Sequence, residues 1–153
     1  MDGRRQHNFS ERLVLVIATD GYLRYTPLAS GTAGSLIGLL LLWPLDGIPH
    51  LLVTLLLAGG GVLVAGRAAE ILGDHDPPVI IIDEIAGIAV ATLLLPSHLL
   101  YRGAAFCLFR LFDTLKPFPS RHIERLSGGI GIMGDDLTAG LYSNLLIQVW
   151  RLF

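Results

Sequence analysis

The sequence predicts an all-α, polytopic membrane protein of four or five transmembrane or half-membrane helices, with most of its acidic residues gathered at the cytoplasmic face. Three observations predict it. The chain of 153 residues is 52% apolar and only 16% charged, to the oily side of a soluble domain. No charged residue occurs from Tyr25 to Leu45, from Gly47 to Gly66 or from Ile85 to Tyr101, three stretches near the ~20 residues that cross a bilayer. Basic residues flank these stretches in a pattern that assigns sides. A buried core helix could account for one such stretch, but Leu36 to Trp43 leaves no polar face for water.

Taken in order, Met1 to Arg24 holds Arg4, Arg5, Arg12 and Arg24, a basic leader that belongs in the cytoplasm. Its apolar run, Leu13 to Ala18, is too short for a cleavable signal, so the mature chain is expected to keep it. From Ala33 the chain is apolar to Trp43, breaks at Pro44-Leu45-Asp46-Gly47-Ile48-Pro49, and is apolar again to Ala65. The two prolines stop both helices, which predicts a hairpin crossing outward and returning to Arg67. After the polar loop Glu70 to Pro78, the run Val79 to Leu95 leads outward again to a turn at Pro96-Ser97-His98. Leu99 to Phe112 returns, with Arg102 and Arg110 near its ends placed to snorkel to head groups. The loop from Asp113 to Asp136, with Lys116, Arg121 and Arg125, is cytoplasmic by its basic excess. Leu137 to Trp150 is a last helix, short for a full span. Residues 1–153 form one domain without internal repeats. The single cysteine, Cys107, has apolar neighbours and is expected to be a small core residue. A net charge of −2 without a dense basic run argues against a nucleic-acid partner. Self-association is left open.

The sides follow from apolar length and basic residues alone, so the position of the acids is an independent result. Glu70, Asp74, Asp76, Asp83, Glu84, Asp113, Asp135 and Asp136, eight of thirteen acids, fall at the cytoplasmic side or at the cytoplasmic end of a helix. Asp83 and Glu84 lie inside an apolar run, where each charge costs ~2.5–3.5 kcal/mol near a helix centre and less near its end. Either interfacial ion pairing or a bound metal would compensate them. The face carrying Asp83, Gly87 and Ala91 is lined with small residues, which lets a second helix approach that acid. Asp135-Asp136 followed by Ala139-Gly140 repeats the pattern at a helix start, where the acids could also serve as simple caps. Arg110, Asp113 and Lys116, three residues apart, share a helical face. Lys116, the only lysine, can serve either an ion pair or an anionic oxygen. The segment Ser30-Gly31-Thr32-Ala33-Gly34-Ser35 opens a helix with glycines and hydroxyls, compatible with an anion site or with ordinary capping. Carboxylates alone would repel a phosphate. Hard oxygen ligands select Mg²⁺ or Mn²⁺, which can bridge carboxylate to phosphate and activate water, so metal-assisted phosphoryl hydrolysis is the chemistry these residues suit.

The blocks Gly31-Thr32-Ala33-Gly34-Ser35, Asp76-Pro77 leading to Ile82-Asp83-Glu84 and Gly87, Arg110 to Pro117, and Gly128 to Gly140 occur in the order found in one family. In them the chain resembles the phosphatidylglycerophosphatase A family of bacterial lipid phosphatases. The resemblance spans about residues 10 to 150 and is most specific in the last block; it departs at Ser30, where the family usually has proline. It implies Mg²⁺-dependent hydrolysis of phosphatidylglycerol phosphate to phosphatidylglycerol and phosphate, in the bacterial inner membrane, with a phospholipid substrate and an active site facing the cytoplasm. Carried over by position, it implies Asp83, Glu84, Asp113, Asp135 and Asp136 as metal ligands, with Asp83, Asp113, Asp135 and Asp136 as the catalytic set. Gly31, Thr32, Ser35, Arg110 and Lys116 would then bind the phosphate. A thiolate phosphatase is disfavoured because Cys107 and Arg110 are too close, and an aspartyl nucleophile at Asp74 or Asp76 because prolines follow. The competing reading is a carboxylate-lined transporter of divalent cations or protons, which would place acids at mid-depth and on both sides.

Overall fold

The computed structural model describes residues 8–19, 30–75 and 77–153. Asp76 and the basic residues Arg4, Arg5 and Arg24, all used in the sequence argument, lie outside the described residues. Seven helices occur among those described: α1 (Phe9–Ala18), α2 (Ser30–Leu42), α3 (Gly47–Leu72), α4 (Ile82–Thr92), α5 (Leu99–Leu115), α6 (Ser120–Ile123) and α7 (Gly129–Trp150). No strand is present among the described residues; one isolated antiparallel bridge joins Thr19 to Ile80. The all-α expectation therefore holds.

Helices α2, α3, α4, α5 and α7 alternate in direction, and α4 is their centre, packed by the other four. Its residues explain that position. Ala86, Gly87, Ile88, Ala89, Ala91 and Thr92 are all buried, and their small side chains admit neighbours on every side. The closest approach is to α7. A methyl on Gly87 would meet the Phe109 ring and, at 2.9 Å, the Asp136 carbonyl oxygen; one on Gly140 would run into the Gly87 carbonyl. The two backbones touch one turn beyond Asp83 and one turn beyond Asp136, which draws those acids together. Gly140→Ala has no rotamer that relieves the clash, so it is expected to cost about 1–3 kcal/mol of stability and to lower activity with it, as a thermal melt and a turnover assay on the same preparation would read.

Several boundaries differ from the sequence expectation. Helix α3 continues past Arg67 to Leu72 and stops at Gly73, whose φ of 70° is left-handed. At 26 residues it is ~39 Å long. Among the described residues it alone is long and apolar enough to cross a membrane, with a mean hydropathy of 2.0 in its best window. Of the four or five spanning or half-spanning helices expected from uncharged length, length and composition together show this one. The run Val79–Leu95 yields only the 11-residue α4. Its start is delayed because the Ile81 amide donates to the Ala18 carbonyl at 2.9 Å and Ile80 to Pro77 at 3.0 Å. Its end is set by Leu94, at φ 58°, just before Pro96. Helix α7 starts at Gly129, eight residues before Leu137, and so has 22 residues. The glycines that suggested a loop are instead contact points: Gly129 abuts the Val62 carbonyl, Gly131 that of Leu126, and Gly134 the Ile123 side chain.

Two side chains correct the sequence reading outright. Cys107 is exposed rather than core, because α5 buries the stripe Arg102, Ala105, Phe109 and Cys107 points away from it. Arg102 does not snorkel: it is wholly buried. Its guanidinium donates to the carbonyls of Leu42 and Trp43 at 2.9 Å and of Leu45 at 3.0 Å, and to Asp46 Oδ1 and Ser97 Oγ at 2.9 Å. The last carbonyls of α2 lack helical donors, and the planar guanidinium supplies them. This clamp ties the α2–α3 turn to the α4–α5 turn at one end of the bundle. The other end carries Asp83, Glu84, Asp113, Asp135 and Asp136.

Candidate active site

At that other end, a cleft of about 190 Å³ is lined by Asp83, Glu84, Asp113, Lys116, Asp135 and Asp136, with Pro77, Pro78, Ile80 and Ile132 as its apolar walls. Each polar group arrives for a local reason. Asp83 and Glu84 occupy the first turn of α4, where the dipole favours acids. Asp113 lies in the last turn of α5, and Lys116 follows as its cap residue with φ 45°. Asp135 and Asp136 are the seventh and eighth residues of α7. They are therefore inside the helix, and the capping alternative for them is removed.

The carboxylates form two overlapping sets. Oxygens of Asp83, Glu84 and Asp136 lie within 4.8 Å of one another, and so do oxygens of Asp113, Asp135 and Asp136. Asp136 is 4% exposed and Asp135 9%. Two negative charges 4.8 Å apart repel by roughly 3.5 kcal/mol at an effective dielectric of ~20, so the cluster is costly without cations. Two are supplied by the chain. Arg110 Nη1 lies 2.8 Å from Asp113 Oδ2, and Lys116 Nζ lies 2.6 Å from Glu124 Oε1 and 2.8 Å from Asp135 Oδ2. Burial opposes the charge on Lys116, but hydrogen bonds to Asp135 and Glu124 outweigh it and raise its pKa, so the ammonium is retained. Asp83 Oδ1 and Glu84 Oε2, by contrast, are closed off from solvent and accept no hydrogen bond. Unpartnered buried carboxylate oxygens in an all-oxygen set fit a hard divalent cation.

Of the residues singled out in the sequence, Asp83, Glu84, Asp113, Asp135, Asp136 and Lys116 line the cleft together. Glu70 does not join them; it pairs with Arg67 on the surface at 2.6 Å. Arg110 stands behind Asp113, 3.5 Å from Ser35 Oγ. Gly31 and Ser35 belong to the opening turns of α2 rather than to a loop: Gly31 abuts Arg110 and Glu84, while the Ser35 hydroxyl donates to the Gly31 carbonyl. Thr32 is exposed, away from the cleft lining. Glu124 was missed. Its one signal in the sequence is that no other acid occurs between Asp113 and Asp135.

The family model described as phosphatidylglycerophosphatase A matches residues 16–151. A Bacteroides thetaiotaomicron protein named "Putative phosphatidylinositol-3-phosphatase" is 35% identical over 150 residues, covering 91% of this chain and 94% of its own length. Proteins named phosphatidylglycerophosphatase A from Haemophilus influenzae and Escherichia coli are 38% and 34% identical, covering 78% and 77% of this chain and 77% and 72% of their own. No solved structure matches.

Proposed function

Because the chain belongs to the phosphatidylglycerophosphatase A family, we propose that it removes the terminal phosphate of phosphatidylglycerol phosphate, giving phosphatidylglycerol and inorganic phosphate with Mg²⁺ as cofactor. The observation that carries this reading is the meeting of five carboxylates and the only lysine in one cleft. Asp83, Glu84, Asp113, Asp135 and Asp136 would hold Mg²⁺, which when bound polarises phosphoryl oxygens and acidifies water. The chain's own groups do the rest. Lys116, oriented by Glu124 and Asp135, and Arg110, tethered to Asp113, supply positive charge toward the phosphate's oxygens. Water adds across the ester P–O bond: its oxygen joins phosphorus, the lipid oxygen leaves and takes up a proton, and a carboxylate of the set receives the proton lost by water. Asp83, Asp113, Asp135 and Asp136 are the candidates for that acceptor.

The proposed setting is the inner membrane, with several helices inserted and the cleft at the cytoplasmic surface. Leu40, Leu41, Leu52, Leu55, Leu56 and Leu63 are each 60% or more exposed, an apolar surface that water would not tolerate and lipid would. Arg67, Arg121 and Arg125 lie in the segments that lead to and from the cleft residues, a basic excess that supports a cytoplasmic face. The family and its lipid-named members support the same setting. Carboxylates gathered at one end speak against a transport path, which needs them along its length.

One observation favours a second substrate: a relative that covers 91% of the chain is named "Putative phosphatidylinositol-3-phosphatase". Purified protein assayed on phosphatidylglycerol phosphate, phosphatidylinositol 3-phosphate and phosphatidic acid, each with and without Mg²⁺, separates these. The expected result is phosphate release from phosphatidylglycerol phosphate that stops after exhaustive chelation and returns with Mg²⁺. Preference for the inositol lipid would move the reading to the second substrate. No release from any of the three would overturn it, and undiminished release after chelation would overturn the role of Mg²⁺.

A further inference from the structure

We infer that the cleft is a two-cation centre in which Asp136 is the shared ligand, one ion held with Asp83 and Glu84 and the other with Asp113 and Asp135. The two groups of oxygens, each within 4.8 Å, have Asp136 and no other residue in common. They are built differently. In the first, Asp83 Oδ1 and Glu84 Oε2 are inaccessible to solvent and have no hydrogen-bond partner among the described residues. In the second, Arg110 and Lys116 each engage a single oxygen, Oδ2 of Asp113 and Oδ2 of Asp135. Asp136 belongs to both sets, is buried, and has no ion pair among the described residues.

Charge decides the number of ions. Among the described residues, and counting Glu124, six carboxylates face two cationic side chains, an excess of four negative charges. One dication leaves two of them, and a phosphomonoester dianion would still be repelled. Two dications cancel the excess, so that Lys116 and Arg110 become available to the phosphate. This part of the argument rests on the phosphatase reading; the division of ligands does not. Each set offers three carboxylates, with the remaining positions of an octahedral ion left to water or to phosphate oxygens.

The test uses the full chain in detergent, stripped of metal and titrated with Mn²⁺, with bound ion counted by equilibrium dialysis and followed by electron paramagnetic resonance. Two Mn²⁺ per chain are expected, with the spin-coupled spectrum of ions that share a carboxylate. Asp83→Asn and Asp135→Asn should each leave one Mn²⁺ and restore an uncoupled signal, and Asp136→Asn should weaken both sites at least tenfold. The single ion retained by each of the first two variants also reports that they are folded. One Mn²⁺ per chain in the unaltered protein, two without coupling, or loss of all Mn²⁺ from both Asp83→Asn and Asp135→Asn would overturn the inference. One ion bound by a protein that still releases phosphate would sink the pair of sites and keep the phosphatase; two coupled ions in a protein inert on every lipid phosphate would do the reverse.

Discussion

Asp136→Asn is expected to abolish phosphate release, by about 10³-fold or more, while the protein becomes no less stable. The first half follows from position. Asp136 is the one carboxylate common to both sets of oxygens, so its loss weakens every cation contact in the cleft, and a 10³-fold loss corresponds to about 4 kcal/mol of transition-state stabilisation. The second half follows from electrostatics. Asparagine has the same shape, and removing one negative charge from a crowd of carboxylates relieves repulsion that the metal-free protein otherwise carries. Melting measured without divalent cations should therefore rise or stay level. In saturating Mg²⁺ the order should reverse, because the unaltered protein gains from binding and the variant does not. Full turnover in the purified variant would remove Asp136 from the mechanism. A melt lowered by several degrees in the absence of metal would show that the side chain serves packing instead.

The convergence of the acids was legible because two patterns coincide at them. Asp83 and Glu84 interrupt an apolar run, and Gly87 and Gly140 stand one turn beyond Asp83 and Asp136. A costly charge beside a small residue at helical spacing signals close helix approach, and Gly87 and Gly140 provide it. The breaks at Pro44 and Pro96 were legible for an equally local reason. What could not be read depends on contacts far apart in the chain. The length of α4 is trimmed by a backbone bond from Ile81 to Ala18, and no local property of Val79 to Ile81 announces it. The early start of α7 requires helix α3 to lie against glycines that, by themselves, favour a loop. Glu124 reaches Lys116 only once the chain has turned through α6. The first turns of α2, compatible in the sequence with an anion site or with ordinary capping, lie close to Arg110 and Glu84 at Gly31, a contact that no local property of the segment announces.

Arg102 is the clearest case of a residue whose environment reverses its ordinary preference, and it carries the second large expectation: Arg102→Met should destabilise the protein by about 3–5 kcal/mol without changing the chemistry of the molecules that remain folded. Methionine fills similar length but donates nothing. The carbonyls of Leu42, Trp43 and Leu45, at the end of α2 and in the following turn, then lose the guanidinium; that of Leu42 keeps the Leu45 amide at 3.0 Å, but a buried acceptor left without any donor costs about 1–3 kcal/mol before relief by water. The stacking of the guanidinium over Trp43, 5.4 Å from the ring centroid, is lost as well. Arg102→Lys keeps the charge, yet a compact ammonium with three donors cannot span acceptors contributed by two separate turns, so most of the loss should persist. For a chain of 153 residues the shift in melting temperature should be roughly 6–20 °C. Asp113 follows Arg102 by eleven positions on α5, ~16 Å along the helix, so turnover per folded molecule should stay within about twofold. An unchanged melt would mean that the turn satisfies its carbonyls in another way. A large fall in turnover at low temperature, where the variant is folded, would mean that the clamp at this end sets the spacing of the carboxylates at the other.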